Sequence, residues 1–246
     1  MNRTEIRSEE IRTVGIIGAM APEMEAIKAM VHQPKITEIS GIQFVQGIIH
    51  GVGVVAATCG IGKIHAAICA QTMILEFHPD LIINVGVAGS LTPDLNIGDI
   101  AIADRVVQHD MDASPIGFPQ GFLPGLDEVY LPCNSEVVRR MENCAEKLGY
   151  HYRTGIIATG DVFMTDSGRK KHVADTFHAI SCEMEGGSIG QVCCVNGTDF
   201  CILRAISDNG DEDAHRDYTM SLEMAADRAT RVMDRFLAGL PAWRSL

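Results

Sequence analysis

The chain has 246 residues, 46% hydrophobic and 21% charged, the balance of a water-soluble globular protein with one sizeable core. Its net charge of −12 argues against nucleic acid as a partner and leaves a small neutral or cationic ligand open. Eight cysteines are present without a CxxC pair, and nine histidines without HExxH or zinc spacing. Free buried thiols are therefore expected, with no structural metal and no disulfide framework. No apolar run approaches the ~20 residues that span a bilayer. The first residues, "MNRTEIRSEEIR", are polar and lack the apolar region of a secretory signal, so residues 1–12 read as a tail and the setting as cytoplasmic.

"TVGIIGAM" is an apolar run ending in small residues, a strand. "APEMEAIKAMVH" follows as a helix, with Pro22 in its first turn and Ala26, Ile27 and Met30 at helical spacing. "IQFVQGIIHGVGVVAATCG" is β-branched and broken at "HGVG", which predicts two strands joined by a hairpin. "GKIHAAICAQTMILEFH" predicts a helix ended before Pro79. "DLIINVGVAGS" is continuously apolar, the signature of a strand buried on both faces. "IGDIAIADRVVQHD" is another strand. Residues 111–133 are rich in Pro and Gly and predict irregular structure. "NSEVVRRMENCAEKLG" predicts a helix, N-capped by Asn134 and stopped at Gly149. "RTGIIATGDVF" and "DFCILRAISD" are strands, each ending in an aspartate-containing turn. "EGGSIGQVCCVN" has helical spacing despite its glycines. A last helix runs from about Tyr218 to Leu237 and ends near Gly239 and Pro241. Strands alternate with helices, so residues 13–246 predict a single three-layer α/β domain with a mostly parallel sheet.

In such sheets ligands bind outside the carboxyl ends of strands. Just past the strands stand "GAMAPE" with Glu23, "NVGVAGS", "TGDVFM", "SCEMEG" and "RAISDNGD". Two glycine motifs compete for attention. "GVGVVA" (51–56) fits G-x-G-x-x-A, but β-branched residues follow where a dinucleotide site needs a helix. "GIGK" (60–63) ends like a phosphate loop, but position 57 is Ala and Ile64 stands where Ser or Thr is required. Helix-start glycines beside a pocket are the better reading, and no cofactor is expected. Each acid taken singly reads as a surface acid: Glu23 suits a helix N-terminus through the dipole, Asp208 suits a loop, and Glu183 and Glu185 suit solvent. Together they read differently. Arg204, at the end of an apolar strand, is the natural counter-charge for a buried glutamate.

In order and spacing, "GIIGAMAPE", "CGIGK", "NVGVAGS", "GDVF", "EMEG" and "RAISD" resemble the 5'-methylthioadenosine/S-adenosylhomocysteine nucleosidases of the nucleoside phosphorylase superfamily, over roughly residues 13–238. The resemblance implies an αβα sandwich with a central mixed, mostly parallel sheet. It implies hydrolysis of the N-glycosidic bond to adenine, without cofactor. Asp208 would then protonate the adenine N7 and Glu23 would activate water. Glu185 and the Met184 backbone would hold the ribose hydroxyls, Phe163 would stack on adenine, and Met164 would supply backbone hydrogen bonds. Arg204 and Ser207 would be polar supports, with Val87, Ala88, Gly89 and Glu183 beside the substrate; whether Glu183 faces Arg204 stays open. Val87 stands where the family usually carries a hydroxyl residue, and "NVGVAGS" offers no cation for phosphate. A phosphorolytic transferase and a catalytically inactive nucleoside-binding protein are the alternatives. For the apolar loop 111–126 the resemblance implies a homodimer, with that loop near the partner's pocket; the 5' substituent is left open among methylthio, homocysteinyl, deoxy and aminodeoxyfutalosine groups.

Overall fold

In a computed structural model, the described residues are 11–242. Most of the expected tail, residues 1–10, lies outside them. Ile11 is fully buried in the core, and the backbone amides of Arg12 and Thr13 donate to Asp80 Oδ2 at 2.7 and 2.9 Å. The packed chain therefore begins before residue 13.

The strands are β1 Thr13–Gly18, β2 His32–Ile39, β3 Ile42–Ile49, β4 Val52–Thr58, β5 Leu81–Ser90, β6 Ile100–Gln108, β7 Leu131–Pro132, β8 Tyr152–Thr159, β9 Ala179–Glu183 and β10 Asp199–Asp208. The helices are α1 Ala21–Ala29, α2 Lys63–Phe77, α3 Ser135–Lys147, α4 Ser167–Phe177, α5 Gly186–Asn196 and α6 Ala214–Ala242. All strands join one mixed sheet. β10 pairs with both β5 and β6, so β5, β10, β6, β8 and β9 close into a ring. From β5 the sheet continues outward through β1, β4, β3 and β2.

Parallel pairing joins β1 to β4 and β5, β5 to β10, and β8 to β6 and β9. The hairpins and the ring's other seams are antiparallel. The sheet is mixed, with its longest registers parallel, and closing the ring turns β6, β8 and β9 against β5 and β10. Helices α1, α3 and α6 pack together on one side, and α2 with α5 on the other. The continuously apolar stretches behave as expected: every residue of β5 and β10 is buried.

The hairpin "HGVG" turns at His50 and Gly51, both with positive φ of 49° and 80°, the twist a two-residue hairpin needs. "GVGVVA" therefore leads into a strand. Asn134 caps α3 by accepting from the Val137 amide at 3.0 Å. Three elements depart from the sequence reading. The first helix stops at Ala29, and residues from His32 form β2. This edge strand is largely exposed and carries Pro34, so it lacks the apolar alternation that betrays a strand. Helix α4 buries only Val173 and Phe177 and is otherwise polar; its signal was Asp166, whose side chain accepts from the Arg169 amide at 2.6 Å. Helix α6 starts at Ala214, four residues early, and runs through Gly239. Fully buried Leu237 and Leu240 pack in the core there and outweigh the ~1 kcal/mol helix penalty of glycine.

Candidate active site

The parallel strands β1, β5 and β10 end side by side. β9 meets β5 through only two pairs, Gly89 with Cys182 and Ser90 with Ser181, and this crossing delivers Glu183 to the same place. A cavity of about 410 Å³ opens there. Every site residue expected from the sequence lines it: Glu23, Val87, Ala88, Gly89, Phe163, Met164, Glu183, Met184, Glu185, Arg204, Ser207 and Asp208.

Glu23 occupies the first turn of α1 but is not a surface acid; it is 2% exposed. Its carboxylate turns back on the chain. Oε2 accepts from the amides of Ala19 and Met20 at 2.8 and 2.9 Å, and Oε1 accepts from the Val87 amide at 3.0 Å. Burial pushes its pKa up, opposed by the Arg204 charge and these amides. The Val87 side chain cannot hydrogen-bond, yet its backbone fixes the acid. Gly86 leaves room for this: a Cβ there would lie 2.4 Å from Glu23 Oε1 and 2.5 Å from Arg204 Nη1.

Arg204 is 1% exposed. Its Nη2 donates to Glu183 Oε2 and Asn84 Oδ1 and lies 3.3 Å from Glu185 Oε2; Nη1 donates to the Val87 carbonyl at 3.3 Å. Glu183 also accepts from the Thr159 hydroxyl and from the amides of Glu185 and Gly186 at 2.9 and 2.7 Å. Both Glu183 oxygens are thus taken by protein donors. Glu183 reaches the cavity wall and faces Arg204, the alternative the sequence leaves open, and its partners also tie down the start of α5 and the Glu185 amide.

Glu185 has fewer partners. Oε1 accepts from the Gly62 amide at 2.9 Å, and Oε2 has only the longer contact to Arg204. Burial pushes its pKa up to about 7, against Arg204 and the Gly62 amide, with Glu183 and Glu23 adding to the rise. The "GIGK" motif therefore offers its amide to a carboxylate of the protein. Lys63 faces Asp110 at 2.7 Å, and its amide donates to Asp161 Oδ1 at 2.8 Å.

Asp208 ends β10, 2% exposed. Oδ2 accepts from the Ser207 hydroxyl at 2.8 Å and Oδ1 from the Gly210 amide at 2.9 Å. Burial again raises its pKa, opposed by those two donors, while Asp217 and Asp211 add to the rise. A Cβ on Gly89 would lie 2.8 Å from Asp208 Oδ1, so this position is held small as well. Phe163 is 40% exposed on the cavity rim, its ring edge-on to Tyr218 at 5.5 Å.

Met20, Ile61, Cys182, His215, Tyr218 and Thr219 also line the cavity and were not expected. The late start assigned to the last helix left His215 outside it, and nothing in the helical spacing marks Tyr218 or Thr219 as wall residues. Beneath the cavity, Asn84 and Thr159 complete the Arg204–Glu183 network without any motif to announce them. Among the described residues no cluster of His, Cys, Asp or Glu is arranged to hold a metal ion. Arg204 is the only Lys or Arg among the described residues lining the cavity, and it is already engaged.

Comparison with known proteins agrees with this arrangement. The model of the phosphorylase superfamily matches residues 13–238. A 5'-methylthioadenosine/S-adenosylhomocysteine nucleosidase of Geobacillus thermodenitrificans is 36% identical over 219 residues, covering 89% of this chain and 93% of that one. The Neisseria meningitidis nucleosidase of the same name, solved with methylthio-immucillin-A, superposes with a TM-score of 0.90 at 29% identity, covering 93% and 100% of the two chains. A futalosine hydrolase of Helicobacter pylori superposes with a TM-score of 0.89 at 31% identity, covering 93% and 98%. The chain belongs to the phosphorylase superfamily and, within it, to the 5'-methylthioadenosine/S-adenosylhomocysteine nucleosidases, and is an N-ribosyl hydrolase.

Proposed function

We propose that this protein hydrolyses the N-glycosidic bond of 5'-thio-substituted adenosines, releasing adenine and the 5'-substituted ribose. Cleavage passes through a ribosyl cation of oxocarbenium character. It needs a proton on the departing purine, a water on the opposite face, and negative charge beside the sugar. The observation that carries the reading is the unequal pairing of two buried acids in one cavity. Glu23 accepts three amide hydrogens with Arg204 nearby, and these oppose the burial that raises its pKa. Asp208 has one amide, one hydroxyl and two further aspartates near it, which favours retention of its proton.

Asp208 then donates to adenine N7, and Glu23 takes a proton from the attacking water. Glu185, with one lightly held oxygen, accepts from the ribose hydroxyls and places negative charge against the developing cation. Phe163 stacks on the base, and the Met164 backbone and Ser207 support it. Arg204 and Glu183 position Glu185 and balance its charge. Hydrolysis is favoured over phosphorolysis because a phosphate dianion needs free donors or cations, and the lone cavity arginine is held by protein carboxylates.

The working form is a homodimer in this reading. Loop 111–126 exposes Ile116 at 77% beside the stacked rings of Phe118 and Phe122, 4.9 Å apart. Helix α2 and the residue before its cap expose Ile61, Ile64, Ile68 and Leu75, and Ile61 also lines the cavity. Such an apolar stripe fits a second copy better than solvent. Free thiols throughout the described chain fit a cytoplasmic setting. The test is adenine release from methylthioadenosine in phosphate-free buffer: turnover at an undiminished rate supports hydrolysis, and a strict requirement for phosphate removes it.

A further inference from the structure

The "GIGK" stretch found no ligand of its own, and the acids around its lysine have no part in the chemistry assigned above. Three loops meet there, the ones that follow β4, β6 and β8. Asp110, two residues past β6, accepts the Lys63 ammonium on Oδ1 at 2.7 Å and the Asp161 amide on Oδ2 at 2.9 Å. Asp161, two residues past β8, turns its own Oδ1 to the Lys63 amide at 2.8 Å. One residue back, the Gly62 amide donates to Glu185 Oε1 at 2.9 Å.

The cap residue of α2 is Gly62, which has no side chain to satisfy the helix's first donors. Carboxylates from other elements, Glu185 and Asp161, take two of them instead. Gly60 and Gly62 have φ of 93° and 98°, so the loop before α2 follows a path that suits glycine alone. Such a loop needs an outside hold to keep one amide aimed. The Lys63–Asp110 pair provides it, with side chains only 20% and 24% exposed. Burial lifts the Asp110 carboxyl, but the Lys63 ammonium and the Asp161 amide outweigh it and keep it below the ordinary carboxylate range. A Cβ on Gly62 would lie 3.0 Å from Asp161 Oδ1, so that carboxylate packs directly against the turn.

We propose that Asp161, with Asp110 behind it, is a positioning residue for Glu185. By holding Lys63 it keeps the Gly62 amide on Glu185 Oε1, which leaves Oε2 for the ribose hydroxyls. Neither aspartate is among the residues that line the cavity, so each acts through another group. The inference rests on the nucleosidase reading, which gives Glu185 those hydroxyls.

The experiment measures two quantities on the full chain and on D161A. One is kcat/KM for methylthioadenosine. The other is the inhibition constant of its 2',3'-dideoxy analogue, a competitor that offers Glu185 no hydroxyl. Wild type that releases no adenine from methylthioadenosine defeats the nucleosidase reading, and the inference with it. Given wild-type turnover, D161A should lose roughly 3- to 10-fold in kcat/KM, the worth of one hydrogen bond, while the inhibition constant stays at its wild-type value. D161N keeps an oxygen for the Lys63 amide and should recover most of the loss. No loss in D161A, an inhibition constant that rises in step with the loss, or D161N as damaged as D161A overturns the proposal. D110N covers the case in which D161A fails to fold. Asparagine keeps an oxygen for the Asp161 amide and removes the charge that draws in Lys63. It should lower kcat/KM by roughly 2- to 5-fold, the range of a partly exposed ion pair, again without moving the inhibition constant. An unchanged kcat/KM, or a matching rise in the inhibition constant, overturns the proposal.

Discussion

Arg204 within β10 and Glu183 at the end of β9 form an ion pair buried on both sides, each side chain 1% exposed. The pair explains how three glutamates crowd into one cavity. Glu183 makes the closest carboxylate contact to the guanidinium, Glu185 a longer one at 3.3 Å, and Glu23 adds its charge to the same field. Removing one partner strands the other charge. E183Q and R204M are each expected to lose about 3–5 kcal/mol of stability, the usual result of breaking a buried pair. Urea denaturation reads this directly. A loss within the range of a surface substitution would show that the pair does not hold the site.

Asp208 is assigned the proton for the departing base. D208N keeps the shape and removes the acid, so kcat should fall about 10²–10⁴-fold while thermal stability stays close to wild type. Because burial raises the carboxyl, wild-type activity should decline as pH rises through that raised value. A D208N variant whose rate matches wild type removes Asp208 from the role.

Glu185 gives a second pH signature, of stability and of binding. Its folded pKa of about 7 lies above the ordinary 4.5. A group raised in this way stabilises the fold fully below about 4.5 and loses that contribution as pH climbs through 7. E185Q has no such term. The melting temperature of wild type relative to E185Q should therefore fall between pH 5 and pH 8. Over the same interval the KM for the nucleoside should fall in wild type, since the ionised carboxylate accepts the ribose hydroxyls. Parallel melting curves at all pH values would contradict the assignment.

Gly86 is the space through which Glu23 and Arg204 approach β5. A methyl group there meets both at 2.4–2.5 Å. G86A should cost about 1–3 kcal/mol through overpacking, and its kcat should drop because Glu23 is displaced from the Val87 amide. Gly125 has open space around it, so G125A serves as the control with near wild-type kinetics. Equal kinetics in the two variants would show that the close approach is not required.

Much of this was legible in the chain before any coordinates. Continuous apolar runs identified β5 and β10, whose complete burial they reported, and the residues just past the strands all reached one cavity. What escaped had weak local signals. β2 is an exposed edge strand with a proline, and α4 has a two-residue apolar face. The closure of β5, β10, β6, β8 and β9 into a ring depends on β10 pairing on both edges, a long-range choice that no periodicity encodes. Asn84 and Thr159 carry no motif, because their role is set by where Arg204 and Glu183 arrive from distant strands. The sequence showed that buried acids needed a partner at Arg204; which glutamate takes it needed three dimensions.

The central claim is that water, and not phosphate, receives the ribosyl group. Mass analysis of the sugar product from methylthioadenosine, with millimolar phosphate present, tests it most directly. Hydrolysis predicts free 5-methylthioribose alongside adenine, in equal amounts and unchanged when phosphate is withdrawn. A 5-methylthioribose 1-phosphate product would contradict it.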